Sequence, residues 1–517
     1  MREHSSQRSP SRPYPAPTYS APPAQSSGGR VPKTRIGLRS LVLLLVVTQG
    51  PLSFIWVAMP AIYQYSGTVA TPLVVGIAGL ALIAYSIGYA GMAQRIKHPG
   101  GVYAFVAQGL SPAAGLASAA LALTVYVLFG AATTVALAGS MSGLLDSVFG
   151  LDLPVEAAVV LGTAMIFATA CLRLRVFLWT IVCAGAIEAL TILVLDFSAL
   201  GNPADGKVSF ESLDPAWLLS GSFALALSLC LTSTLGIETA ANYADDVRQP
   251  RRTIPRAVMI AYTTTTIMLT FSGWAVSVAA GSENTVALAS GGLQSLTESG
   301  GGQAFILAVL SAVVGADQIA LTVKLITAAL VLSSLVAAVL IAGAVVRILA
   351  GLAQDGVLPP TFGVGADGRP RKSMALAVSV VTGLIALVAA APDTPTGTVF
   401  IGITSGVGVT CLIAISSLAT IAWFLRSSDE DSGFLGWEGR VVAAGFALVT
   451  MGFVAVFATY RLPGLMPVGD FYGWALPLVL GGSFACGLIV AAVLKSRDPR
   501  AIAQVGRSSD PEESPLG

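Results

Sequence analysis

Long apolar runs alternate with short polar breaks along almost the whole chain. About twelve such runs stand out, near residues 39–63, 72–94, 113–138, 155–172, 177–199, 217–243, 257–280, 319–350, 374–391, 397–425, 439–458 and 471–494. Several exceed the ~18 apolar residues that a helix needs to cross the hydrocarbon of a bilayer. The pattern predicts an all-α polytopic membrane protein with about twelve transmembrane helices. Two of the runs are interrupted at mid-depth. The first carries Thr48-Gln49-Gly50-Pro51-Leu52-Ser53, where proline lacks an N–H and clashes with the preceding turn. The sixth carries Gly236-Ile237-Glu238. An acid inside a span costs roughly 2.5–3.5 kcal/mol on insertion scales and marks a functional site. The glycine beside it lets the helix open and present backbone groups to a ligand. The breaks stand five spans apart, the spacing of a five-plus-five inverted repeat whose discontinuous helices one and six face each other at the midplane.

Composition agrees with the pattern and adds topology. The chain is 55% hydrophobic and 11% charged, against about 25% charged in soluble domains. The net charge of +1 says nothing about partners, and nothing points to nucleic acid. The distribution of charge is informative. With a cytoplasmic N-terminus only Lys207, Lys324 and Arg461 fall outside, which leaves 25 of the 28 Lys and Arg residues inside. Excess Lys and Arg near spans stay cytoplasmic, so both termini are expected inside a multi-pass protein of the inner, cytoplasmic membrane. Residues 1–37 and 496–517 are polar and read as disordered cytoplasmic tails. Between them, 38–495 forms one membrane domain. The longest polar interruptions are Gly201–Pro215 and Gly281–Gly302, and the second has room for a short external helix from Val286 to Leu296. The five cysteines are scattered through apolar spans without metal or disulfide spacing. Gly201 to Lys207 has nucleotide-loop spacing, but Val208 holds the Ser/Thr position and no strand precedes it. The histidines, His4 and His98, lie outside the spans, and the in-span ionisable groups are essentially Glu188 and Glu238. That set is too small for a metal site or an enzyme, so no cofactor, metal or catalytic residue is expected.

Four segments converge on one family. They are Pro99-Gly100-Gly101-Val102-Tyr103-Ala104-Phe105-Val106; Gly236-Ile237-Glu238 running on to Asp245-Asp246-Val-Arg-Gln-Pro250-Arg251-Arg252-Thr-Ile-Pro255; Arg347 to Asp355-Gly356-Val-Leu-Pro359; and Gln49-Gly50-Pro51-Leu52. With these the chain resembles the amino acid–polyamine–organocation permeases over about residues 38–425. It looks most like the actinobacterial-type branch with Pro-Leu at the first break. The resemblance implies a LeuT-type fold and secondary transport of an amino acid or related amine by alternating access, as symport or exchange. It implies substrate contacts at Gln49, Gly50, Pro51, Leu52 and Ser53 in span one and at Ser233, Thr234, Gly236, Ile237 and Glu238 in span six. Family members often carry Gly-Ser-Gly at the first break and aromatics around the span-six glycine. Here Gln49-Gly50-Pro51-Leu52-Ser53 replaces the first, and Thr234 and Ile237 stand at the places of the aromatics, which leaves room for a bulkier ligand or moves the lid to Phe54, Trp56 or Tyr126. Physical chemistry agrees with such a site, because half-helix N-termini suit a carboxylate and freed carbonyls suit an ammonium.

Glu238 aligns with the family's span-six glutamate and is expected to organise the break, to exchange a proton, or both. Glu188 stands in span five where some relatives carry a proton-binding group, and its burial makes it a candidate proton carrier. Ser333 and Ser334 in span eight are candidates for an ion site or for support of the break. Asp245, Asp246, Arg251, Arg252 and Asp355 form a candidate inner gate. The expected partners are the small-molecule substrate, protons and the lipid bilayer. A membrane sensor that binds the same ligand without flux is the alternative. Substrate charge stays open, as does oligomeric state.

Overall fold

The structure, a computed structural model, describes residues 36–507 apart from 173, 283, 290–309, 311–315, 366–370, 392–396, 427–435 and 466–468. The described chain is an all-α bundle. Its helices are α1 (Leu38–Ser66), α2 (Thr71–Arg95), α3 (Val102–Gly109), α4 (Pro112–Phe149), α5 (Val155–Ala170), α6 (Leu174–Gly201), α7 (Phe223–Ser233), α8 (Pro250–Ala280), α9 (Ala316–Gln354), α10 (Lys372–Ala390), α11 (Gly397–Arg426), α12 (Trp437–Leu465), α13 (Gly469–Arg497) and α14 (Pro499–Gln504). Among the described residues, ten helical segments are long and apolar enough to cross a membrane. Each of the twelve apolar runs is helical, but two fall short of that standard. α5 has 16 residues, and α8 opens on a charged turn and carries the run Thr263–Thr266. The external helix expected over Val286–Leu296 lies in part outside the described residues, as does the N-terminal tail up to residue 35.

Both expected breaks are present. α1 stops at Gln49 because Gly50 turns left-handed, with φ 61° and ψ 62°. Pro51 then opens the next helical segment at its first position, where a missing N–H leaves no bond unmade. A π-helical turn over Phe54–Ala58 follows before α-helix resumes at Met59–Ser66. α7 stops at Ser233, and the chain passes Gly236 at φ 117° into a 3₁₀ segment over Ile237–Tyr243. The two breaks touch. A Cβ at Gly236 would stand 2.7 Å from Thr48 Cγ2 and 3.3 Å from Thr48 O, so only glycine fits there.

α2 lies along α8, and α4 lies along α9. Lipid tails are as apolar as leucine, so membrane helices associate through close backbone approach at small residues. The α2–α8 seam shows this. Gly79 faces Thr266 without room for a larger side chain unless the threonine moves, and Gly76 faces Thr270, which an added Cβ would meet at ordinary contact distance. One end of the bundle collects both described chain ends, together with Arg39, Arg251 and Arg252, and is called the basic end. There Ile36 pairs in parallel with Val247. Ile36 N donates to Asp246 O at 2.9 Å, and Arg248 N donates to Ile36 O at 2.9 Å. At the C-terminus, the polar tail expected from residue 496 meets an ordered helix instead. Asp498 caps α14, and Val505 and Gly506 are buried. Residues 508–517 lie outside the described residues.

Candidate functional site

Glu188 is buried on α6 and joins three helices. Its Oε1 accepts from Leu52 N at 2.8 Å, just past the α1 break, and from Ser333 Oγ of α9 at 3.1 Å. The N–H of Leu52 is one that the break frees, since a helix start leaves its first donors without intrahelical partners. Ser334 is buried next to Ser333. Glu188 also lines a cavity of about 440 Å³ between α1, α6 and α8, whose walls include Val47, Pro51, Gly185 and Ile192.

Glu238 treats the second break in the same way. Its Oε2 accepts from Gly236 N at 2.8 Å, two residues back along its own chain. Its Oε1 accepts from Tyr126 Oη of α4 at 3.2 Å. Tyr89 of α2 closes the far side of the 3₁₀ segment. Its hydroxyl donates to Glu238 O at 3.2 Å and accepts from Ala241 N at 2.7 Å. Each break therefore has a freed N–H held by a carboxylate of the protein itself. The N–H groups expected to be open to a substrate carboxylate are thus occupied at Leu52 and Gly236.

The remaining sequence candidates distribute around these two points. Gln49 and Thr234 line a small cavity of about 10 Å³ with Phe54 and Cys230. Gln49 Oε1 is buried there without a hydrogen-bond partner. The Thr234 hydroxyl is spent on Cys230 O at 2.7 Å. Ser53 and Ser233 are half-buried, and Leu52 and Ile237 are buried. Phe54 and Trp56 lie in the π-helical turn and are buried.

At the basic end the candidate gate residues separate into two clusters. Asp246 Oδ2 accepts from Arg347 of α9 through Nη2 at 2.9 Å and Nε at 3.2 Å. The guanidinium lies 4.2 Å from the centre of the Tyr243 ring, a cation–π contact. Asp355 forms the second cluster. Its Oδ1 lies 3.0 Å from His98 Nε2, and its Oδ2 accepts from Tyr103 Oη at 3.0 Å and from Gly506 N at 3.0 Å. His98 Nδ1 accepts from Gly100 N at 2.9 Å, so Nε2 carries the proton that Asp355 receives. Burial, and after it the Asp355 carboxylate, hold the Tyr103 phenol well above its usual range, so it stays a donor. Asp245, Arg251 and Arg252 are exposed.

Three features escaped the reading of the sequence. The first is Arg347, visible as part of a motif but not as the partner of Asp246. The second is the burial of His98, which lies in the loop between α2 and α3 as expected outside the spans but is enclosed there and bonded to Asp355. The third corrects the view that in-span ionisable groups are essentially Glu188 and Glu238. Asp196 of α6 is also buried, accepting from Ser272 Oγ at 2.7 Å. Among the described residues no cluster of three or more His, Cys, Asp or Glu could hold a metal ion.

A helical bundle that crosses a membrane many times and buries paired carboxylates at two touching helix breaks is a multi-pass membrane protein of the permease class. A model of the amino acid permease family matches residues 51–487, and the chain belongs to that family. A comparison with curated proteins found no match.

Proposed function

We propose that this protein is a secondary active transporter, not an enzyme, that moves an amino acid or related amine across the cytoplasmic membrane by alternating access coupled to protons. The arrangement is LeuT-type, with twelve spans, both termini inside, and the broken helices α1 and α7 in corresponding places of two five-helix halves. The packing of α2 on α8 and of α4 on α9 suits such halves. The observation that carries the reading is the position of Glu188, which holds the Leu52 N–H at 2.8 Å and the Ser333 hydroxyl at 3.1 Å at once.

The coupling follows from that geometry. An ionised Glu188 makes charge-assisted hydrogen bonds, roughly twice as strong as neutral ones. A proton arriving on Glu188 removes the charge and loosens its hold on Leu52 N–H. The freed donor, at a helix start with partial positive charge, then suits a substrate carboxylate. Glu238, held by Gly236 N and Tyr126, keeps an acceptor near the break for the substrate's ammonium. Substrate and proton thus enter together, because each makes room for the other.

The test is reconstitution of the full chain in liposomes and a screen of radiolabelled amino acids and amines, with and without an imposed inward proton gradient. Uptake that rises with the gradient and collapses with an uncoupler is expected. Uptake indifferent to the gradient would remove proton coupling. Saturable binding without uptake under any gradient would make the protein a sensor.

A further inference from the structure

Asp196 has no part in the scheme above, yet it is built into the same helix as Glu188. It stands eight residues further along α6, a rise of about 12 Å, toward the end opposite the basic one. It is 3% exposed. Its hydrogen bond among the described residues comes from Ser272 Oγ of α8 at 2.7 Å. A buried carboxylate with one neutral partner lacks the ion pair or donor set that stabilises a charge at such depth. The described residues that line the site supply none. Ile55 and Trp56 face it from α1, Val276 from α8 and Leu310 from the segment before α9, with Ile192, Leu195 and Ala199 on its own helix. Among these described neighbours there is no Lys, Arg, His or second acid.

These residues enclose a cavity of about 10 Å³, close to the space that one water needs. The indole N–H of Trp56, which lines this cavity, is buried without a hydrogen-bond partner. An orphaned donor, a carboxyl group and space for one water make a polar site inside an otherwise apolar wall. The site shares two helices with the Glu188 site: Trp56 stands four residues beyond Leu52 on α1, and Asp196 eight beyond Glu188 on α6. Ile192 lies between the two acids and lines both this cavity and the 440 Å³ cavity of Glu188. It is the one residue common to both linings, so its side chain stands where a path between them would pass.

We infer that Asp196 is a second proton-holding site, which takes a proton from water on the side opposite the basic end and passes it through water to Glu188. The proton leaves the Asp196 carboxyl for a water lodged between Asp196 and Trp56. Once Ile192 has turned, it passes from that water along further waters in the 440 Å³ cavity to the Glu188 carboxylate, because one water cannot span the rise of about 12 Å. Asp196 is then the carboxylate that the next external proton refills. The inference rests on Glu188 carrying the coupled proton.

Two measurements test it on the full chain in lipid. The first needs no substrate. Infrared difference spectra between acidic and neutral pH read the C=O band of protonated carboxyls. Asp196→Asn is expected to remove one titrating band and Glu188→Gln another, while Ser272→Ala, which keeps the acid, shifts the first band in position and pH midpoint. Spectra of Asp196→Asn identical to those of the wild type would overturn the assignment. The second follows internal pH with a trapped dye during uptake of the amino acid or amine that the wild type accumulates most. Asp196→Asn is expected to slow proton entry at least tenfold, with Asp196→Glu recovering most of the rate and substrate counterflow kept within about twofold. A coupled wild type with an equally fast Asp196→Asn would overturn the relay alone. A wild type that moves no protons would overturn the role of Glu188 and the relay with it.

Discussion

Glu188 holds the Leu52 N–H and, in the proposed mechanism, also carries the coupled proton, and a substitution can separate the two roles. Glu188→Gln keeps the shape and an acceptor for Leu52 N–H but cannot carry a proton. Because the Leu52 donor stays satisfied, the variant avoids the ~1–3 kcal/mol penalty of an orphaned buried N–H and should fold. We expect it to exchange labelled for unlabelled substrate in counterflow but to lose accumulation against a gradient. Accumulation that survives in Glu188→Gln would remove the proton from this residue. The acids at the breaks were legible in the sequence because each interrupts a long apolar run, and a charge in such a run costs too much to be accidental. Asp196 was not. It lies near the end of its run, where an acid reads as loop, and its partner Ser272 is 76 residues away with no local pattern to link them. Arg347 shows the same limit from the other side. Its motif was visible, but its pairing with Asp246 spans 101 residues and exists only once α7 and α9 meet.

At the scale of elements the breaks are set by two glycines of different kinds. Gly50 needs its left-handed φ of 61°, but an added Cβ would meet its nearest atoms at an ordinary contact distance of 3.7 Å. Gly236 needs φ 117° and also has Thr48 Cγ2 only 2.7 Å from the same point. Gly50→Ala therefore pays backbone strain of roughly 1–2 kcal/mol, whereas Gly236→Ala adds a collision between the two broken helices. We expect the thermal midpoint in detergent to fall further for Gly236→Ala, and Thr48→Ser, which deletes the colliding methyl, to restore part of the loss in the double variant. Equal midpoints for the two alanine variants, with no rescue, would mean that the breaks do not press on each other. The helices themselves were legible from the length of the apolar runs, and the breaks from Gly-Pro and Gly-Ile-Glu. The π-helical turn at Phe54–Ala58 was not, because no residue in Phe-Ile-Trp-Val-Ala marks it. Nor was α14, whose six residues are polar enough to pass for tail, or the burial of Val505 and Gly506 just after it, where Gly506 lies against Ala104 and Ala107 of α3 and donates to Asp355.

Across the whole molecule, the basic end ties together elements that an alternating-access cycle has to part. Ile36, just before α1, is stitched to the chain after α7, and Arg347 of α9 holds Asp246 of that same stretch. The side chains of Arg347 and Asp246 are 21% and 26% exposed, so water screens the ion pair to about 0.2–1 kcal/mol. The Tyr243 face adds about 0.5–1 kcal/mol at such a site. A clasp of that size biases an equilibrium between closed and open forms by roughly threefold to thirtyfold, which suits a gate that would open in every cycle. Asp246→Asn should therefore raise the fraction open at the basic end without unfolding the protein. A cysteine placed at Ser53 in a cysteine-free background reports this as faster reaction with a membrane-impermeant thiol reagent added from the inner side. Exchange of the two charges, Asp246→Arg with Arg347→Asp, should slow the labelling again, since it restores the attraction with the signs reversed. The Tyr243 stack, however, would lose its cation, so recovery should be partial. Labelling that is the same in all three proteins would show that the clasp does not control opening, and that the Ile36 pairing or the Asp355 cluster holds this end closed.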